Sequence, residues 1–112
     1  MRSPNIDQCL EHYRSGTKPE RDLERAAVKE VLAEITRRVP GKSVELRIPP
    51  FAATQIVEGP IHRRGTPSAV VEMSSQTLVT LAAGEGSWPE LMAAGKILAS
   101  GERSDLSALF PL

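Results

Sequence analysis

Cys9, Glu11 and His12 are the nearest thing to a reactive cluster in this sequence. A thiol, a carboxylate and an imidazole this close could ligate a metal or make an activated nucleophile. Adjacent helical positions diverge by about 100°, however. On a helix His12 therefore turns away from the apolar stripe of Ile6, Cys9, Leu10 and Tyr13. The pattern reads better as a small buried thiol beside a surface histidine. His62, the other histidine, lies in a different element. A single cysteine makes neither an intrachain disulfide nor a Cys-based zinc site. Gly84-Glu85-Gly86 lacks the later glycine of a dinucleotide fingerprint and the Gly-Lys-Ser/Thr end of a phosphate loop, so it reads as a helix stop and turn. The acids of the longest helical segment are interleaved with bases, as on a solvated face. No catalytic, metal or cofactor site follows from these residues, and the expectation is a protein that is not an enzyme.

Three other features could contact a ligand. His62-Arg63-Arg64 lies between Gly59-Pro60 and Gly65-Thr66-Pro67, which places it in a loop. A guanidinium pair there could meet a carboxylate or phosphate headgroup. A hairpin tip is also charged simply because it is wet. Trp88 and Met92, at i and i+4, could line a pocket or anchor a core. Arg103 and Asp105 flank the start of the last helical segment, where Asp105 suits the helix dipole.

Positioning these residues is the task of one small domain. A chain of 112 residues buries a single two-layer core. Hydrophobic residues are 40% and charged residues 25% of it, the balance of a folded protein. Fourteen Lys and Arg against fourteen Asp and Glu argue against a nucleic-acid partner. The polar start has no signal core, and no window approaches a membrane span. The expected address is cytoplasmic, without stable membrane insertion.

The spacing predicts a helix over 6–13, capped by Ser3 with Pro4 in its first turn. A second helix carries the stripe Val28, Val31, Leu32, Ile35 and Val39, with Thr17 and Glu20 at capping-box spacing. Glu34 and Arg38 form an i,i+4 pair, and Pro40-Gly41 stops the helix. Val44 to Ile48 alternates apolar and charged residues, as a half-buried strand does. Ala52 to Glu58 and Ala69 to Met73 follow as strands, expected to pair antiparallel because the loop between them is too short for a parallel crossover. Ser74 or Ser75 caps a helix ending at Gly84. Ser87 and Glu90 frame a short helix ending at Gly95. Lys96 to Ser100 reads as a strand, and Ser104-Asp105 opens a last short helix with Leu106, Leu109 and Phe110. Segregated strands and helices indicate an α+β fold.

The C-terminal half carries a resemblance. The runs Leu78 to Gly84, Trp88 to Ile97, and Ser100-Gly101-Glu102 followed by Leu106 are similar to the ending of sterol carrier proteins. Val44 to Phe51, Gly59 to Pro67, Val70-Val71-Glu72 and Ser100 to Ser107 resemble the bacterial sterol-carrier-like domain more specifically. The resemblance covers roughly residues 20 to 112. It implies a sterol-carrier-like domain over 19–112 behind an N-terminal helical extension over 1–18. It further implies a curved, mainly antiparallel sheet of about five strands with helices covering one face, the fifth strand divided from its neighbour by Pro49-Pro50. No catalytic residue carries over. The implied function is non-catalytic carriage of an apolar small molecule, fatty acyl, lipid or sterol-like, between sheet and helices. The cavity would be lined by Leu46, Ile48, Ile56, Val71, Met73, Leu78, Leu81, Trp88, Met92, Ile97 and Phe110, with His62, Arg63 and Arg64 at the headgroup. The alternative is a ligand-free scaffold that assembles with itself as a homodimer or with a partner enzyme.

Overall fold

Ser3 starts the first helix as its side chain suggests. Its Oγ accepts from the Ile6 amide at 3.1 Å, and Pro4 opens α1 (Pro4–Arg14). A computed structural model gives the whole architecture and describes residues 1–61 and 64–112. After α1 come α2 (Arg21–Arg38), β1 (Val44–Ile48), β2 (Ala52–Ile56), β3 (Ala69–Met73), α3 (Ser75–Ala83), α4 (Trp88–Ala93) and β4 (Ile97–Gly101), and the chain ends in a 3-10 turn, Ser107–Leu109.

Ser74 and Ser87 cap α3 and α4 through the Thr77 and Glu90 amides, and Gly84 ends α3 in the left-handed region. Glu34 ties to both Arg37 and Arg38 at 2.6 Å. The capping box expected at Thr17 and Glu20 does not form. Glu20 occupies the cap position of α2 with no side-chain bond. The Thr17 hydroxyl instead lies 2.8 Å from His12 Nδ1 and bonds the His12 carbonyl. α2 starts only at Arg21, so Thr17 lies outside its cap position. The expected last helix is only the 3-10 turn, held by Asp105 Oδ1 accepting from the Ser107 amide at 2.9 Å.

The sheet corrects the expected strand pairing. Its order is β2-β1-β3-β4. β2 folds back on β1 as a tight antiparallel hairpin, with Ile48 opposite Ala52. β3 then lies parallel to β1 on its other side, Leu46 opposite Val71. The crossover to β3 starts from β1, not β2, and it contains β2 and residues 57–68, which is long enough for a parallel connection. β4 closes the order antiparallel to β3. The sheet is thus mixed, with one parallel pairing between two antiparallel ones. It has four strands among the described residues, because Pro49-Pro50 serves as the turn between β1 and β2 and not as a boundary to a fifth.

Val44, Leu46, Ile48, Val71 and Met73 are buried on one face of the sheet. The other face carries Glu45, Arg47, Val70 and Glu72. α1 packs on α2 and α3, α2 reaches β2, and α4 touches β4. Since α1 and α2 both rest on it, α3 is buried nearly all round. A knot of backbone bonds holds the end of the sheet where β1 begins. The Ser43 amide and hydroxyl both donate to the Val57 carbonyl, and the Ala69 amide donates to the Ser43 carbonyl. Gly41 makes the knot feasible, because a Cβ there would sit 2.1 Å from the Val57 carbonyl carbon.

Candidate functional site

The residues expected to line a cavity meet in the seam between sheet and helices. Leu46, Ile48, Ile56, Val71, Met73, Leu78, Leu81, Trp88 and Ile97 are buried in one apolar cluster, with Met92 and Phe110 half-buried at its margin. Trp88 and Phe110 stack with ring centroids 6.2 Å apart. These side chains pack against one another in the seam. Arg64 is exposed in the segment between β2 and β3, while His62 and Arg63 lie outside the described residues.

Open space occurs at one end of this seam. A cleft of about 600 Å³ is walled by three connections: the α1–α2 turn, the β1–β2 turn and the junction of β3 with α3. Such a volume suits a small-molecule site. Each wall follows from local sequence. Gly16 ends α1, and Pro19 keeps the chain extended before α2 starts at Arg21. Pro49 and Pro50 reverse β1, and the Phe51 amide closes the turn on the Ile48 carbonyl at 2.8 Å. Ser74 starts α3 directly after β3. Phe51 and the two prolines give the cleft an apolar side, with the Arg25 guanidinium 6.0 Å from the Phe51 ring centroid. Lys18 and Arg21 stand exposed at its mouth.

On the α1–α2 side, Tyr13 donates its hydroxyl to Glu24 Oε2 at 2.6 Å. Glu24 is only 5% exposed, and its place in the first turn of α2 suits a carboxylate. Burial, followed by the hydrogen bond to Glu24, pushes the Tyr13 phenol well above its ordinary pKa, with a Ser75 hydrogen bond opposing. Burial and the Glu24 charge likewise push up the Cys9 thiol. Both groups therefore keep their protons at neutral pH, and neither is an activated nucleophile. The cleft can position a polar group against Tyr13, Glu24, Lys18 and Arg21 and an apolar group against Phe51. Among the described residues no three His, Cys, Asp or Glu side chains gather in a group that could hold a metal.

A family model described as a bacterial SCP ortholog matches residues 20–112. The chain belongs to that family. A comparison with curated proteins finds no match. In this SCP-ortholog domain the matched region starts one residue before α2, and α1 lies outside it. α1 nevertheless supplies Ile6, Cys9 and Leu10 to the core and Tyr13 to the cleft. Among the described residues of the domain no helix is long and apolar enough to cross a membrane.

Arg64 and the cleft of the SCP-ortholog domain sit at opposite ends of the sheet. The segment carrying Arg64 joins the strands where β1 begins, whereas the cleft opens where β1 ends. The five residues of β1 separate the two ends by roughly 13 Å. Sequence reasoning missed the cleft residues Lys18, Arg21, Glu24 and Phe51. One signal was present: Glu24 lies four residues before Val28 and seven before Val31, so a carboxylate occupies the apolar stripe of α2. A buried charge of that kind needs a partner, and Tyr13, on the apolar stripe of α1, carries a polar tip suited to the part.

Proposed function

We propose that this SCP-ortholog domain binds and carries an apolar small molecule of the fatty acyl or lipid class without transforming it. The polar end of the guest lies in the cleft beside Lys18 and Arg21. Its tail passes Phe51 and Pro50 and enters the seam among Ile48, Met73 and Leu78. The observation that carries this reading is the cleft of about 600 Å³ opening where the apolar seam ends. Membership of the SCP-ortholog family supports it. Each methylene taken from water contributes about 0.8 kcal/mol, so an eight-carbon tail gains about 6 kcal/mol before ordering costs. That gain has to part the side chains now packed in the seam. Arg64 would serve a headgroup only if a guest entered from the opposite end of the sheet.

Native mass spectrometry after gentle purification is expected to find lipid adducts, and fatty acids should displace a fluorescent fatty-acid probe. Phe51→Ala should weaken all ligands. Lys18→Glu combined with Arg21→Glu should weaken carboxylates more than neutral lipids. A protein that carries no adduct and releases no probe would overturn the reading. The complete burial of Leu46, Ile48, Val71 and Leu78 in the seam favours a second reading, a ligand-free module that assembles with another protein or with itself. Under that reading adduct and probe binding are both absent, and the purified chain forms a defined assembly.

A further inference from the structure

We infer that β4 is a self-pairing edge through which two copies of this chain join into one continuous eight-stranded sheet. β4 lies at the end of the sheet and pairs only with β3. Its sequence, Ile97-Leu98-Ala99-Ser100-Gly101, holds no proline and no charge, so it lacks the usual devices that blunt an edge. All of it after Ile97 is exposed, and Leu98 is 63% exposed despite its size. The opposite edge differs. α2 packs against β2, and Val57 in the left-handed region terminates it.

The charges flanking β4 specify the partner and the register. Lys96 precedes the strand and Glu102 follows it. Both are exposed, Lys96 has no ion pair among the described residues, and Glu102 has only a 3.9 Å approach to Arg103. A twofold axis perpendicular to the sheet and midway between the two copies of Ala99 sets Leu98 opposite Ser100 of the second copy. It also sets Lys96 opposite Glu102 of the second copy, and the symmetry repeats that pairing. Two opposite-charge pairs therefore bracket the seam. Moving the axis to Leu98 or Ser100 loses both. Leu98 sits on the open face, opposite Glu72 of β3, and the two copies of Leu98 become diagonal neighbours there, within reach of each other. On the covered face the two Ala99 side chains meet, small enough to leave the backbones in hydrogen-bonding contact. A seam of five residues is well below a standard interface, so association on the order of micromolar or weaker is expected.

Sedimentation equilibrium from about 10 μM to about 1 mM should yield a monomer–dimer equilibrium. Lys96→Glu or Glu102→Lys alone should weaken it about tenfold or more, and the two together should restore it. Ala99→Cys should form a disulfide dimer under mild oxidation, because Cα atoms across an antiparallel pair lie about 5 Å apart; Gln55→Cys on β2 should not. A wild-type chain that stays monomeric to the top of that range overturns the inference. So does a dimer indifferent to both single reversals, a double reversal that fails to rescue, or crosslinking no faster at position 99 than at 55. These experiments read association alone, so they stand whether or not the cleft takes a lipid.

Discussion

Replacing Tyr13 with phenylalanine isolates one bond in the wall of the cleft. The hydroxyl donates to Glu24 at 2.6 Å, and that carboxylate is 5% exposed. A hydrogen bond to a charged group contributes about 1.5–3 kcal/mol, and an acceptor stranded in a buried site costs at the upper end. Tyr13→Phe should therefore cost about 2 kcal/mol, a fall in Tm of roughly 8 °C for a domain of this size. Glu24→Gln keeps an acceptor oxygen for the phenol and should cost about 1 kcal/mol. In the double variant no buried carboxylate is left stranded, so its cost should fall short of the sum by about 1 kcal/mol or more. Chemical denaturation of the four proteins completes the cycle. The same contact sets an alkaline limit. Because the phenol is held above its ordinary pKa, its contribution is complete below about pH 10 and is lost as pH rises beyond that, a loss that Tyr13→Phe should lack. Costs that add within about 0.5 kcal/mol, or a Tyr13→Phe protein as stable as wild type, would refute the argument.

Gly41→Ala should cost about 3 kcal/mol or more, because its Cβ would meet the Val57 backbone at 2.1 Å. Gly16→Ala, at φ +70 with nothing within 4 Å, should cost only about 1 kcal/mol. Equal losses in urea titrations would contradict that steric assignment. Ser3→Ala removes both the α1 cap and a 2.5 Å bond to Glu30, and about 1–2 kcal/mol should be lost in the same titrations. Glu85 pairs with Arg14 and Arg2 of the N-terminal segment, and the Arg14 hydrogen bond leads in holding its carboxyl below the usual range. Its contribution is present above the ordinary carboxylate value and disappears as pH falls through the lowered one. Hydrogen exchange in α1, corrected for intrinsic rates, should therefore accelerate on acidification, and Glu85→Gln should flatten that response.

What was legible in the sequence is what local chemistry decides. Ser3, Ser74 and Ser87 reach amides three residues ahead, so their caps could be read from spacing. The stripe from Val28 to Ile35 and the alternation from Val44 to Ile48 could be read from periodicity, and both are buried as their patterns require. Thr17 has the same chemistry as those caps, but its hydroxyl meets His12 of α1 and α2 starts only at Arg21. The strand order failed for a related reason. Nothing near β2 or β3 reveals that β1 will come between them, since that depends on residues more than 20 apart meeting. The cleft was hidden because its walls are turns. Pro49, Pro50 and Phe51 read as a strand breaker, and only the fold brings them opposite Lys18 and Arg21. The aliphatic side chains of the seam were legible because burial follows from their type; whether a gap separates them does not.

Cys9 gives the molecule an internal stopwatch. Its thiol is completely buried on the inner face of α1 and held in the protonated form by burial and by Glu24, so an alkylating reagent can reach it only while that helix is lifted away. The labelling half-life, set against that of an unhindered thiol, then measures how often the first helix departs. A guest that wedges the α1–α2 turn open would shorten it, one that staples the turn shut would lengthen it, and neither reading needs an engineered cysteine.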